Sequence, residues 1–417
     1  MTLWQVTTRR IPHSGIRSRH WPAVGASLFI ASAVPTFAQE ARVSILASAR
    51  YEDNIRRFND DARKHLPADG ADEVFYLASE GVLATRIGGF TDVSAQASAG
   101  YTWFSTNSDL DAVNYSLSVR GDRSTPRNSL AITLEHLRQR IDLQELNANL
   151  VANQNLSKAD LDVSQHVGGD LRIVGGASYL RSSTSIPERR RDNEQYALEG
   201  GVGYYSPSGN TIALAYRHSE SRGLQDSLVL TGDLPLPFRA RNVDKSIVLD
   251  IEYVHSPITR LDARIGYTDH DDKSVLNADF DGLVADATVT WSPRENLFIK
   301  PSVSRSYATE NGLYNNGIKV TRYGIEANGN IGPLWAWSGS VSREIRTFRY
   351  DLAAPDPESL ARTDRLTRIS LAVDYPILER LRLGLQYNYF ARSSTRNNFN
   401  FDSNAISFTI SYSVFRR

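Results

Sequence analysis

The sequence predicts an all-β fold: a transmembrane antiparallel up-and-down β-barrel of about 18 strands, with 16 as the alternative count. Three observations carry this reading. Every-second-residue apolar stretches run along almost the whole of the 417 residues. The connections between them sort into short turns, such as SPSGN (206–210), SPIT (256–259), SPREN (292–296), NIGPLW (330–335) and YPILER (375–380), and polar loops such as 223–244 and 351–364. Tyr and Trp gather at the ends of the apolar faces. One short rim and one long rim mark a barrel that crosses a membrane.

The N-terminus reads as an export signal. Arg9, Arg10, Arg17 and Arg19 precede an uncharged stretch, 21–38, whose apolar centre (23–34) ends before the small residues Thr36 and Ala38. Residues 1–38 are therefore expected to be a signal peptide and 39–417 the barrel domain. Without the four arginines of that segment, 43 basic residues face 47 acidic ones, so no basic surface calls for nucleic acid. Cysteine is absent and the one methionine is Met1, which removes disulfides, thiol nucleophiles and thiol metal sites. A mean hydropathy of -0.36 is neutral on the question, because only every second residue of a barrel strand meets lipid. An exported barrel belongs in a bacterial outer membrane.

In order, alternation places strands at 42–51, 74–86, 93–104, 112–123, 128–140, 159–167, 171–182, 195–205 and 211–221. They continue at 245–255, 260–269, 282–292, 297–307, 318–329, 335–349, 364–375, 381–392 and 404–415. The connection after each even-numbered strand is short and that after each odd-numbered strand usually longer. In 404–415, Ile406, Phe408, Ile410, Tyr412 and Val414 share one face, and Ser407, Thr409, Ser411 and Ser413 the other. In 381–392, Leu381, Leu383, Leu385, Tyr387 and Tyr389 alternate with Arg382, Gly384, Gln386 and Asn388. Tyr101, Trp103, Tyr204, Tyr253, Tyr267, Trp291, Trp335, Trp337 and Tyr375 sit where interfacial girdles belong. Little helix is expected, confined to 53–66.

The faces opposite the apolar ones would line a lumen. The candidate pore-lining residues are Arg120, Asp122, Glu135, Arg172, Glu199, Arg217, Asp250, Glu252, Arg264, Asp286, Arg322, Glu326, Glu344, Asp374 and Arg382, with Asp160, Asp162 and Asp262 on the same faces. Any barrel wall is polar, so each alone reads as a solvated wall charge. Together their mixed signs predict conductance without strong ion selectivity, which would need rings of one charge.

The first strand and its continuation, VSILASARYEDNIRR (43–57), carry Tyr51, Asp53, Asn54 and Ile55. With DEVFYLASEGVLATRIGG (72–89), they resemble the putative β-barrel porin 2 family. That resemblance implies an outer-membrane barrel associated with exopolysaccharide production. Its expected partners are outer-membrane lipid, a secreted polysaccharide or small solutes, and periplasmic export components; no cofactor is implied. A general or solute-specific diffusion porin is the alternative, and a barrel-type hydrolase a third. Tyr51, Tyr205 and Arg392 are candidate sliding contacts at a mouth. Asp53 and Asn54 read equally well as turn formers.

No catalytic residue is assigned. Of six histidines beyond residue 38, only His270 lies in an acidic run, YTDHDD (267–272), read as part of a long loop. Asp269, Asp271 and Asp272 are calcium candidates there, against the plainer reading of a solvated loop tip. The spacing matches no complete EF-type loop or catalytic triad.

Overall fold

A computed structural model describes residues 40–56, 70–143, 150–185, 192–224, 227–231, 234–238, 241–273, 280–308, 318–348, 362–396 and 399–416. The expected signal peptide lies outside these residues. The first half of the chain forms β1 (Glu40–Glu52), β2 (Asp72–Ile87), β3 (Thr91–Phe104), β4 (Ala112–Ser124), β5 (Asn128–Leu143), β6 (Leu150–Gly168), β7 (Leu171–Thr184), β8 (Asn193–Tyr205) and β9 (Thr211–Gly223). Two short strands follow, β10 (Ser227–Thr231) and β11 (Leu234–Phe238). The rest is β12 (Arg241–Ser256), β13 (Thr259–Asp272), β14 (Phe280–Arg294), β15 (Leu297–Ala308), β16 (Ile318–Ile331), β17 (Trp335–Phe348), β18 (Arg362–Leu378), β19 (Leu381–Ser394) and β20 (Phe401–Arg416).

All strands but β10 and β11 make one 18-stranded antiparallel sheet. Each pairs with its sequence neighbour, β9 pairs with β12, and β1 closes the ring against β20 through Tyr51↔Ile406 and Ala47↔Ile410. Closure leaves no exposed edge, as a membrane requires. The 18 predicted strands are all present. The short turns lie together at one rim, and tight reversal there uses Gly169 (φ 56) and Gly209 (φ 86), in a region that L side chains rarely enter.

The structure corrects the sequence reading at three places. β6 begins at Leu150, nine residues before the predicted 159, and pairs with β5 as far as Leu143↔Leu150. Its added segment, LVANQNLSK, lacks a clean apolar face; above the membrane a ladder needs none. The run YTDHDD is strand, not loop, because β13 continues to Asp272. The polar loop 223–244 contains the hairpin β10–β11, a separate two-stranded sheet. Of the expected helix, 53–56 form a turn and the remainder lies outside the described residues. A 3-10 turn at Ser108–Leu110 was not expected.

Apolar side chains cover the outside: Leu198, Val202, Leu214, Leu371, Leu385 and Ile406 are among many exposed large hydrophobics. Aromatics bound this belt. On β8, Tyr196 and Tyr204 both face outward, eight residues apart. That is about 26 Å along the strand, or roughly 20 Å of height at barrel tilt, near the height of an outer-membrane apolar band. The belt, its girdles and the closed ring make this a bacterial outer-membrane protein.

Candidate functional site

Strand parity sets the lumen face. Each of the 15 pore-lining candidates sits on the side opposite the exposed apolar residues of its strand, and the register brings many together. Arg120 forks onto Asp122 two residues along β4, at 2.6 and 2.9 Å. Arg264 on β13 grips Asp250 on β12 at 2.6 and 2.9 Å and reaches Glu199 on β8 at 3.3 Å. Arg217 approaches the same Glu199 at 3.9 Å. Glu199, Arg217, Asp250 and Arg264 line a recess of about 440 Å³ with Asp160, Asp162 and Arg172. Arg260 pairs with both Glu252 and Asp262.

The densest cluster is on β16–β18. Glu344 is 1 % exposed and accepts from Arg322 at 2.5 and 2.9 Å, from Arg346, and from Arg368 at 3.5 Å. One carboxylate thus holds three guanidinium groups, leaving local positive charge. Glu135, Asp286, Glu326, Asp374 and Arg382 make no ion pair among the described residues.

Two lumenal tyrosines lie on the wall. A Cβ at Gly100 would come within 2.7 Å of the Tyr76 ring, and one at Gly203 within 2.8 Å of the Tyr205 ring. Each ring therefore covers a glycine, and the Arg172 guanidinium stacks over Tyr205 at 4.7 Å. Tyr76 borders recesses of about 500 and 410 Å³.

The loop-side end of the wall carries buried side chains. Arg362 lies between the rings of Phe348 (4.1 Å) and Phe399 (4.0 Å) and is 1 % exposed. Ile55 packs with Val74, Phe104 and Leu110 against the inner wall. Toward the turns, Arg42, Arg120 and Arg86 have half-exposed side chains. Of the expected sliding contacts, Tyr205 faces the lumen. Tyr51 does not: odd-numbered β1 residues face lipid, and Tyr51 is exposed there. Arg392 is buried, bonding the Phe399 carbonyl at 2.6 Å beside Phe399 and Phe401.

Asp53 and Asn54 fasten the barrel seam. Asp53 accepts from the Asn404 backbone N–H at 2.7 Å and from its side-chain amide at 2.9 Å. Asn54 donates to the Asp402 carbonyl at 2.8 Å, and Ser403 donates to the buried Glu52 at 2.8 Å. Sequence reasoning missed this network, because the partners are some 350 residues apart.

The acidic run is divided by alternation. Asp269 and Asp271 face outward, the latter paired with Lys273, while His270 turns inward and bonds Asp244 at 2.5 Å. Asp269 and Asp271 therefore lie on the wall face opposite His270, and the described residues hold no group of three metal-binding side chains.

Residues 252–413, from within β12 to within β20, match the family model described as "Putative beta-barrel porin 2". The match covers 162 of the 417 residues and involves residues other than those that suggested the resemblance. A comparison with curated proteins found no match. Among solved structures, the outer membrane protein OpdK of Pseudomonas aeruginosa is similar at 11% identity and TM-score 0.46, over 90% of this chain and 100% of its own. Acinetobacter baumannii OccAB3 is similar at 12% identity and TM-score 0.46, over 90% and 99%. The siderophore receptor PirA of Pseudomonas aeruginosa is similar at 12% identity and TM-score 0.43, over 89% and 80%. None is similar enough to say what this barrel carries.

Proposed function

We propose that this barrel is a water-filled channel for polar solutes of little net charge. The observation that carries the reading is the compensated wall: carboxylates and guanidinium groups pair within the lumen face instead of forming rings of one sign. A side-chain-filled interior is not expected at 18 strands, which enclose more space than their own residues occupy. In a planar bilayer the purified barrel should conduct, with reversal potentials in a salt gradient close to zero. A reversal potential near the limit for one ion sign would overturn the proposal.

Outward passage of a secreted polysaccharide, with periplasmic export components, is the finer reading. The flat-lying Tyr76 and Tyr205 favour it, since a sugar ring stacks on an aromatic face while modest hydrogen bonds let it slide. Deleting the gene and measuring extracellular polysaccharide tests it. Unchanged export, with slowed uptake of small sugars, would assign the channel to small solutes.

A further inference from the structure

The outward face of β15–β18 changes character along its height. At the turn end it carries Leu297, Ile331, Trp335 and Val373, without charge. At the loop end it is basic. Arg305 pairs across with Thr321, Thr321 with Ile345, and Ile345 with Arg365, so all four share the outward face. Arg343 lies opposite Tyr323, which is exposed, and Lys319 is two residues from Thr321 on that same face. No Asp or Glu stands on this face in the loop-side halves of β15–β19. Among the described residues none of these four cations has a carboxylate partner.

At other places on the loop-side rim outward cations are neutralised. Glu220 takes Arg222 at 2.6 Å and Arg241 at 2.8 Å, Asp271 holds Lys273, and Lys245 faces Asp269 across the ladder. The uncompensated patch spans four strands, about 14 Å at ordinary strand spacing. Beneath it run Val303, Tyr323, Ile325 and Val341, part of the exposed apolar belt.

Because barrels of this kind turn their long loops outward, we propose that this patch is a binding site for a phosphorylated lipid of the outer leaflet, whose phosphates meet Lys319, Arg343 and Arg365 while its acyl chains lie on the belt below. Charge complementarity selects an anionic head group. Continuity with the apolar belt selects a lipid over a free anion, because an ion gains nothing from that adjoining surface. Arg305 borders the site and donates to the Tyr307 hydroxyl at 3.1 Å. Guanidinium groups suit phosphate through their bidentate fork.

Native mass spectrometry of the full-length barrel, after delipidation and titration with lipid A, tests the proposal. The wild type should retain lipid A over phosphatidylcholine. The triple variant Lys319→Gln, Arg343→Gln, Arg365→Gln should lose retention by on the order of 100-fold, from three basic groups at a membrane surface. The pair Arg343→Lys, Arg365→Lys should keep most of it. Heat-modifiable gel mobility reports folding; should the triple variant not fold, Arg343→Gln alone should weaken retention by about 5-fold. Unchanged retention in the folded variants, or equal retention of phosphatidylcholine by the wild type, would overturn the site. Displacement of lipid A by equimolar inorganic pyrophosphate would assign it to a free anion and overturn the lipid occupant.

Discussion

Glu344 is the residue on which most lumen charge converges. Its carboxylate is buried against Arg322, Arg346 and Arg368, and removing its charge leaves the largely buried Arg346 without compensation. Glu344→Gln should therefore destabilise the barrel by about 3 kcal/mol, read as a lower urea midpoint. It should also shift the reversal potential toward anions, because three guanidinium groups on the lumen face then lack their carboxylate. Stability and selectivity both unchanged would remove Glu344 from this role. At the seam, Asp53 and Asn54 contribute three side-chain hydrogen bonds between the ends of the chain. Replacing both with Ala should cost about 3 kcal/mol, at roughly 1 kcal/mol each, while single-channel conductance stays near wild type. A large fall in conductance without loss of stability would favour a solute-binding role instead.

At the scale of elements, periodicity of two made the strands legible. Lipid on one side and water on the other act on every residue of a spanning segment, so alternation in 93–104 or 404–415 follows directly from the fold. Where that pressure stops, the reading stopped too. The upper part of β6 and the end of β13 stand above the apolar belt, and their polar composition resembles a loop. The hairpin β10–β11 is hidden by Pro235 and Pro237, which argue against strand in any central position. Side-chain pairings were less accessible still: alternation gives the face of Glu344, but only the register brings Arg322 opposite it. Packing between neighbouring strands is likewise visible only in three dimensions. Gly100 leaves room for Tyr76 on the lumen wall, and an added methyl would meet the ring at 2.7 Å and Ala78 at 2.8 Å. Gly100→Val should push Tyr76 into the lumen, costing about 1–3 kcal/mol and lowering single-channel conductance. Unaltered conductance in a folded variant would mean the ring has no part in the passage.

Closing 18 strands sets opposite walls nine strands apart, so β17, fifteenth around the ring, faces β6, the sixth. Arg322, Arg346 and Arg368 with the single Glu344 lie on β16–β18. On the facing wall, β5 and β6 carry Glu135, Asp160 and Asp162 with Lys158, which pairs with Asp160 at 2.7 Å. Glu344 stands nine residues above the turn end of β17 and Asp160 eight above that of β6, so the two clusters are near one height. Opposed excesses of charge at one level produce a field across the lumen even though the wall as a whole is nearly balanced. A dipolar solute can align with that field, whereas a monovalent ion is drawn to one wall and repelled by the other. Each wall can be altered independently. Asp160→Asn with Asp162→Asn should move the reversal potential toward anions, and Arg322→Gln with Arg368→Gln should move it toward cations. Both effects should shrink at 1 M salt, where the screening length falls to about 3 Å. Shifts of the same sign from both pairs, or shifts that persist at high salt, would show that the two walls do not act as opposed charges.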